Sequence, residues 1–164
     1  MFKVSRKTLI LLSGGIWLMI GCMLLFLGLN FIIASVYSIN FNTLHLPVLH
    51  FLNYYITSSQ YAAALWVFFA IAIGSLKGRF VFAKTVRRSV DRILSLPDPI
   101  TLGKIYAKSY YLLLLVMVFL GFLMRFTPLD VRGGVDVIVG AALIQGAFLY
   151  FHYAWQLHRS QNRA

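Results

Sequence analysis

Four histidines are the residues of this chain that could hold a haem, since membrane cytochromes bind the iron through histidines on facing helices. His45 and His50 lie on either side of Pro47, in a segment that joins two apolar stretches. His152 and His158 lie near the end of the last apolar stretch. Because no pair occupies facing stretches at one depth, the spacing does not favour a haem site.

Met19, Cys22 and Met23 form a group of sulfur ligands that could hold Cu(I). All three lie in one apolar stretch among bulky residues, where methionine usually fills gaps in the packing. Cys22 is the only cysteine, which excludes an intrachain disulfide and a zinc site built from cysteines. We therefore expect no metal and no cofactor.

Motifs for catalysis and for ion transport are absent from the sequence. The chain has four Asp and no Glu, and it lacks G-x-S-x-G, H-E-x-x-H and a phosphate-binding glycine loop. Transporters and pumps usually carry ionisable side chains at membrane depth, but no Asp, Lys, Arg or His falls in the middle of any apolar stretch. We expect a protein that is not an enzyme.

The polar residues closest to the middle of the apolar stretches are two amides, Gln145 and Asn30. Arg125 lies near the end of a third stretch. If these three side chains share a solvated cavity, they form a polar pathway. If they are buried in separate places, each amide forms an interhelical hydrogen bond.

The composition shows which elements position these residues. Of 164 residues, 60% are hydrophobic and 12% are charged, and the mean hydropathy is +0.82. Soluble domains carry roughly 25% charged residues. Four apolar stretches are each long enough to cross about 30 Å of hydrocarbon, so the sequence predicts an integral membrane protein.

We expect a single all-α domain, residues 1–164, with four transmembrane helices in an antiparallel up-down bundle. The linker at 39–59 contains no Lys, Arg, Asp or Glu and is rich in aromatic residues, which predicts an interfacial segment with a short helix after Pro47. Pro97 and Pro99 end the second helix. The predicted helices span about 8–37, 60–94, 99–126 and 131–158.

A cluster of cations follows the second apolar stretch, and we call it the basic surface. As a helix, residues 77–94 place Phe80, Ala83, Val86 and Val90 on one apolar face. We expect this extension of the second helix to lie along anionic lipid headgroups with its apolar face in lipid. A membrane partner is the alternative, and nucleic acid is not expected because no nucleic-acid-binding motif surrounds the cations. The basic surface comprises Lys77, Arg79, Lys84, Arg87, Arg88 and Arg92.

The distribution of charge predicts the orientation. Segments 1–7, 77–108 and 159–164 together hold thirteen Lys and Arg residues, against two in the opposite loops. Cytoplasmic loops carry the excess of Lys and Arg. We therefore expect both termini in the cytoplasm, and a bacterial inner membrane is the natural location.

Rows of small residues predict where the helices meet, because close approach drives helix association in lipid. In the first and last helices the small residues recur at every seventh position, a spacing that favours left-handed packing. These rows either pack within one chain or form a homodimer contact. They include Gly14, Gly21, Gly28, Gly74, Gly78, Gly133, Gly140 and Ala147.

Two functions fit these patterns. The first is a small polytopic membrane protein with a structural, assembly or regulatory role, which binds lipid or a membrane partner. The second is a minimal transporter or channel that works as a homo-oligomer, with Asn30, Arg125 and Gln145 along its pathway.

Overall fold

The computed structural model describes residues 6–40, 46–56, 58–95, 119 and 121–161. This part of the chain is almost entirely helical and contains no strand. A π-helical turn at Gly78–Phe82 joins α3 to α4, and a 3-10 turn at Met124–Phe126 precedes α5. The helices are α1 (Arg6–Asn40), α2 (Pro47–Tyr55), α3 (Ser59–Lys77), α4 (Ala83–Ser95) and α5 (Leu129–Gln161).

In the described part of the chain, three helical segments are long and apolar enough to cross a membrane, which confirms the prediction of an all-α chain with membrane-spanning helices. They are Thr8–Ser38, Ser59–Arg92 and Leu129–Gln156. A backbone in hydrocarbon must satisfy its own hydrogen bonds, and a helix does so within one segment. Of the predicted helix at 99–126, only residues 119 and 121–126 belong to the described part of the chain.

The central helix of the described bundle is α5. In α5, 50% of the apolar 18-residue stretch is buried, against 17% of that in α1 and 18% of that in the segment that begins with α3. Both α1 and α3 pack mainly on α5 and touch each other less. The outer faces of α1 and α3 therefore carry the exposed apolar side chains that lipid would cover, such as Met19, Phe26 and Phe68.

The contact between α1 and α5 is antiparallel and pairs glycine with glycine. A methyl group built on Gly21 would lie 3.0 Å from the carbonyl oxygen of Gly140, and one built on Gly28 would lie 2.7 Å from that of Gly133. The converse distances, from Gly140 and Gly133 back to α1, are both 2.8 Å. No side chain fits between backbones this close. The small residues at every seventh position of α1 therefore lie against those at every seventh position of α5.

The α3 helix runs parallel to α5 and uses a different face of it. Gly74 lies against Ile138 and Ala141, and Gly78 lies against Ala142. Nearer the start of α3, the indole ring of Trp66 covers Gly134, where a methyl group would collide with the ring. Adjacent glycines on α5 thus serve two partners, since Gly133 faces α1 and Gly134 faces α3.

Among the described residues, most of the buried apolar side chains belong to two clusters, one towards each end of α5. One cluster joins α1, α4 and the later part of α5, and we call this the basic end. The other joins α1, α2, α3 and the start of α5, and we call this the α2 end. The first contains Leu9, Ile10, Val86, Val90, Tyr150 and Ala154; the second contains Ile32, Leu46, Leu49, Ala62, Ala63, Ala70 and Val137.

Candidate functional site

All six residues of the basic surface have exposed side chains. Lys77 ends α3, Arg79 lies in the π-helical turn, and the other four lie on α4. Asp91 is also exposed and is the only acidic residue of α4. The surface therefore presents a large excess of positive charge on one helical extension.

The apolar face of α4 is covered by the chain itself, which differs from the face in lipid that the sequence predicted. Val86 is 0% exposed and Val90 is 2% exposed. Both belong to one buried cluster with Leu9 of α1 and Tyr150 of α5. Phe80, expected on the same face, is 72% exposed. The reason is the π-helical turn, which departs from the α-helical period and so changes which side chains align.

The π-helical turn begins at Gly78, where the helix packs closely against α5. The N–H of Gly78 donates to the carbonyl oxygens of both Gly74 and Ser75. A methyl group on Gly78 would lie 2.8 Å from the carbonyl oxygen of Ala142 and 2.9 Å from Cβ of Gln145. Absence of a side chain here lets the helix pass α5 and continue into α4 without a break.

Trp17 of α1 holds the far side of this turn in place. Its ring packs edge-on against Phe82, with centroids 5.1 Å apart, and against Tyr150, at 5.6 Å. The same indole fills the space above Gly146, where a methyl group would lie 2.7 Å from Cε3 of Trp17. Side chains from α1, the turn and α5 therefore fix where α4 begins.

A further cation lies at the basic end. The guanidinium carbon of Arg159 on α5 lies 3.8 Å from the ring centroid of Trp155, a cation–π arrangement. Both side chains are exposed. This pair was not predicted, although an Arg four positions after a Trp on a helix places the two side chains next to each other.

Asn30, Gln145 and Arg125 lie in three different environments. Asn30 is exposed on α1, and its amide donates to the carbonyl oxygen of Phe26 at 2.8 Å. Gln145 is half-buried beside Gly78, in the contact between α5 and the π-helical turn. Arg125 is exposed in the 3-10 turn. Sequence reasoning could not place them relative to one another, because each lies on a separate element.

The predicted packing residues all lie where helices approach within the chain. Gly14 lies against Tyr150 and Phe151. Ala147 is fully buried on α5. The other members of the rows make the contacts with α1 and α3 described above, and the whole set of glycines faces α5 or is part of it. Each glycine of these rows therefore contacts another helix of the same chain, which fits the first of the two arrangements expected for them.

Asp130 organises the α2 end, a role that was not predicted from the sequence. Its side chain is 0% exposed. One carboxylate oxygen accepts hydrogen bonds from the N–H groups of Val48 (2.8 Å) and Leu49 (3.1 Å), which lie in the first turn of α2. The carbonyl oxygen of Asp130 accepts a hydrogen bond from Nε1 of Trp66 at 3.1 Å. Asp130 therefore ties α2 and α3 to the start of α5.

Arg132 and Asn53 are further polar groups of this end. The guanidinium carbon of Arg132 lies 4.3 Å from the ring centroid of Phe31 on α1, a cation–π contact. The side-chain oxygen of Asn53 on α2 is buried and has no hydrogen-bond partner in the described part of the chain. A buried amide oxygen of this kind is a place where an ordered water is expected.

A cleft of about 630 Å³ opens at the same end, between the last turns of α1 and the first turn of α3. Its polar lining consists of Tyr37, Ser58, Ser59 and Gln60. Its apolar lining consists of Ile33, Val36 and Ala63. Asn30, Gln145 and Arg125 are not among the lining residues.

The potential metal ligands are dispersed. Cys22, Met19 and Met23 are exposed on α1. His50 is exposed on α2, and a ring nitrogen of the exposed His152 lies 2.9 Å from the side-chain nitrogen of Gln156. His45 and the side chain of His158 lie outside the described residues. Among those described, no three His, Cys, Asp or Glu residues come together as a metal site.

No known protein family, no curated protein and no solved structure matches this chain. Its function is therefore inferred from its own residues and their geometry.

Proposed function

We propose that this chain is a polytopic membrane protein of structural, assembly or regulatory type, which binds anionic lipid headgroups through the basic surface. The observation that carries the proposal is the packing of α4 against the transmembrane helices. Its apolar side is held by α1 and α5, and its cations are exposed. Because the helix is fixed to the transmembrane bundle, the cations stay at one membrane surface, whereas cations on a flexible segment would not.

The proposed topology has four membrane crossings. Val90 near the end of α4 packs with Ala154, whereas Leu129 at the start of α5 packs at the other end of the bundle. At about 1.5 Å per residue, the stretch of α5 from Leu129 to Ala154 is roughly 37 Å long. The chain between α4 and α5 must cover that distance, which is comparable to the hydrocarbon thickness. This separation supports a crossing between α4 and α5, as in the predicted bundle of four helices.

Charge supports the choice of ligand. Each Lys or Arg held near an anionic membrane surface contributes roughly 1 kcal/mol. Exposed aromatic residues at the α2 end, among them Tyr54 and Tyr61, fit a membrane–water interface. The excess of Lys and Arg at the basic end supports a cytoplasmic location for that end, and a bacterial inner membrane would supply anionic lipid there.

The test is to measure which lipids the full chain retains. The protein is reconstituted in nanodiscs with equal amounts of phosphatidylglycerol and phosphatidylcholine, and the bound lipids are counted by native mass spectrometry. Wild type is expected to be enriched in phosphatidylglycerol. The variant Lys84→Gln, Arg87→Gln, Arg88→Gln is expected to lose at least about tenfold of this preference, since three charges contribute up to roughly 3 kcal/mol before screening.

The matched control is Arg125→Gln, which removes an exposed arginine outside the basic surface. It should leave the preference unchanged. Equal enrichment in wild type and the triple variant would contradict the proposal, and so would an equal loss in the control.

The alternative, a transporter or channel protomer, has less support. It needs Asn30, Gln145 and Arg125 along one pathway. Asn30 lies on the exposed face of α1, Gln145 in the contact between α5 and the π-helical turn, and Arg125 in the 3-10 turn. These positions do not favour such a pathway within one chain.

A further inference from the structure

The cleft at the α2 end has a gradient of polarity along the axis of the bundle. Ser58, Ser59 and Gln60 lie at the start of the membrane span that begins with α3, and Tyr37 lies near the end of the α1 span. Ile33 and Ala63 each lie about one helical turn further into their spans. A ligand in this cleft would meet hydrogen-bonding groups at the mouth and apolar groups inside.

Among the described residues, the lining contains hydrogen-bond donors and no charged side chain. Two hydroxyls, an amide and a phenol can all donate hydrogen bonds. The glycerol ester and phosphate oxygens of a phospholipid are acceptors, so the mouth of the cleft suits them irrespective of the headgroup charge.

Volume and position fit the same ligand. A volume of about 630 Å³ lies within the range of sites that bind small molecules. Tyr54 and Tyr55 of α2 and Tyr61 of α3 are 85%, 70% and 73% exposed around this end. Exposed aromatic residues of this kind concentrate at the level of the headgroups, so the mouth lies where glycerol and phosphate are found.

We propose that this cleft is a phospholipid site, which binds the glycerol phosphate region at Ser58, Ser59 and Gln60 and an acyl chain along Ile33, Val36 and Ala63. The site rests on the proposed function in that the chain spans a membrane, but it is separate from the basic surface. It recognises the part that phospholipids share, whereas the basic surface recognises their negative charge.

The experiment uses the full chain in nanodiscs of phosphatidylcholine alone, followed by release into mild detergent and native mass spectrometry. Wild type is expected to retain a phosphatidylcholine molecule. The variant Ser58→Ala, Ser59→Ala, Gln60→Ala should retain about tenfold less, because it removes three side-chain hydrogen bonds. Ile33→Trp should show a similar loss, because the larger side chain fills the apolar part.

Ile20→Trp is the matched control, since Ile20 is an exposed isoleucine of the same helix that does not line the cleft. It should retain lipid as wild type does. Gln60→Ala alone, at an exposed position, keeps the test valid if the triple variant does not fold. Equal retention in wild type, Ile33→Trp and Gln60→Ala would overturn the proposal.

A second arm separates a lipid from a free anion. Delipidated protein is incubated with inorganic phosphate in place of lipid, and no retention is expected because the acyl chain supplies much of the contact. Retention of phosphate by wild type but not by the triple variant would overturn the lipid assignment and make the cleft an anion site.

The two proposals fail in different ways. If the cleft variants retain phosphatidylcholine normally while the Lys84, Arg87 and Arg88 variant loses its preference for phosphatidylglycerol, the phospholipid site is wrong and the proposed function stands. If the cleft variants lose phosphatidylcholine while the basic surface shows no preference, the reverse holds.

Discussion

The carboxylate of Asp130 accepts a hydrogen bond from the backbone N–H of Leu49 at 3.1 Å, although the two residues are 81 positions apart. The same oxygen accepts the N–H of Val48 at 2.8 Å. Leu46 at the N-cap position of α2 offers no side-chain hydrogen bond. Asp130 of α5 therefore caps the N-terminus of α2. A carboxylate is also favourable there because the N-terminus is the positive end of the helix dipole.

Replacement of Asp130 should detach α2 from the bundle. Asp130→Ala leaves two N–H groups without their acceptor in a buried setting, and we expect a loss of about 3 kcal/mol in the free energy of unfolding. Hydrogen exchange of the amides at 48–55 should rise at the same time. Asp91→Ala, at an exposed aspartate, is the control. Unchanged exchange in α2 would show that the cap does not hold this helix.

The glycine pairing of α1 with α5 predicts that substitutions at two glycines of α1, Gly21 and Gly15, differ sharply in their effect on stability. Gly21→Leu places its side chain against Gly140 and Ile144, and we expect a loss of about 3 kcal/mol or failure to fold. Gly15→Leu should be tolerated, because nothing lies within 4 Å of the Cβ position there. Thermal unfolding in one detergent measures both. Similar melting temperatures for the two variants would contradict the described α1–α5 contact.

The seating of α4 can be tested apart from its charges. Val86→Ala with Val90→Ala removes buried methyl groups between α4, α1 and α5, at a cost of about 2 kcal/mol in total. We expect faster hydrogen exchange along α4 and a weaker preference for phosphatidylglycerol, although every cation remains. Ser89→Ala on the same helix should change neither. If exchange rises while the lipid preference stays at the wild-type value, rigid seating of the helix is not needed for binding.

Sequence reasoning predicted the parts of this fold that depend on local pattern. Membrane-spanning helices follow from length and hydropathy, and the seven-residue rows of α1 and α5 identify glycines that the structure brings together. The short helix after Pro47 follows from the proline and from the uncharged aromatic linker. Such features are encoded within one segment, so a single sequence suffices.

Features that depend on two distant segments were missed or placed wrongly. The role of Asp130 needs the position of α2, which a one-dimensional pattern does not contain. The apolar side of α4 was read correctly as a stripe with Val86 and Val90, but its partner was taken to be lipid rather than α1 and α5. The π-helical turn that separates Phe80 from this stripe begins at Gly78, which packs against Ala142 of α5, a residue far away in the sequence.

The central claim, that the basic surface and α2 lie on opposite sides of one membrane, is tested most directly by cysteine labelling. In a Cys22→Ser background, Tyr54→Cys and Asp91→Cys each place one thiol at an exposed position, and the second leaves every cation in place. Intact bacterial cells that express each variant are treated with a membrane-impermeant maleimide. We predict labelling of Tyr54→Cys in intact cells and of Asp91→Cys only after the membrane is permeabilised. Labelling of both from the outside, or of Asp91→Cys alone, would contradict the account.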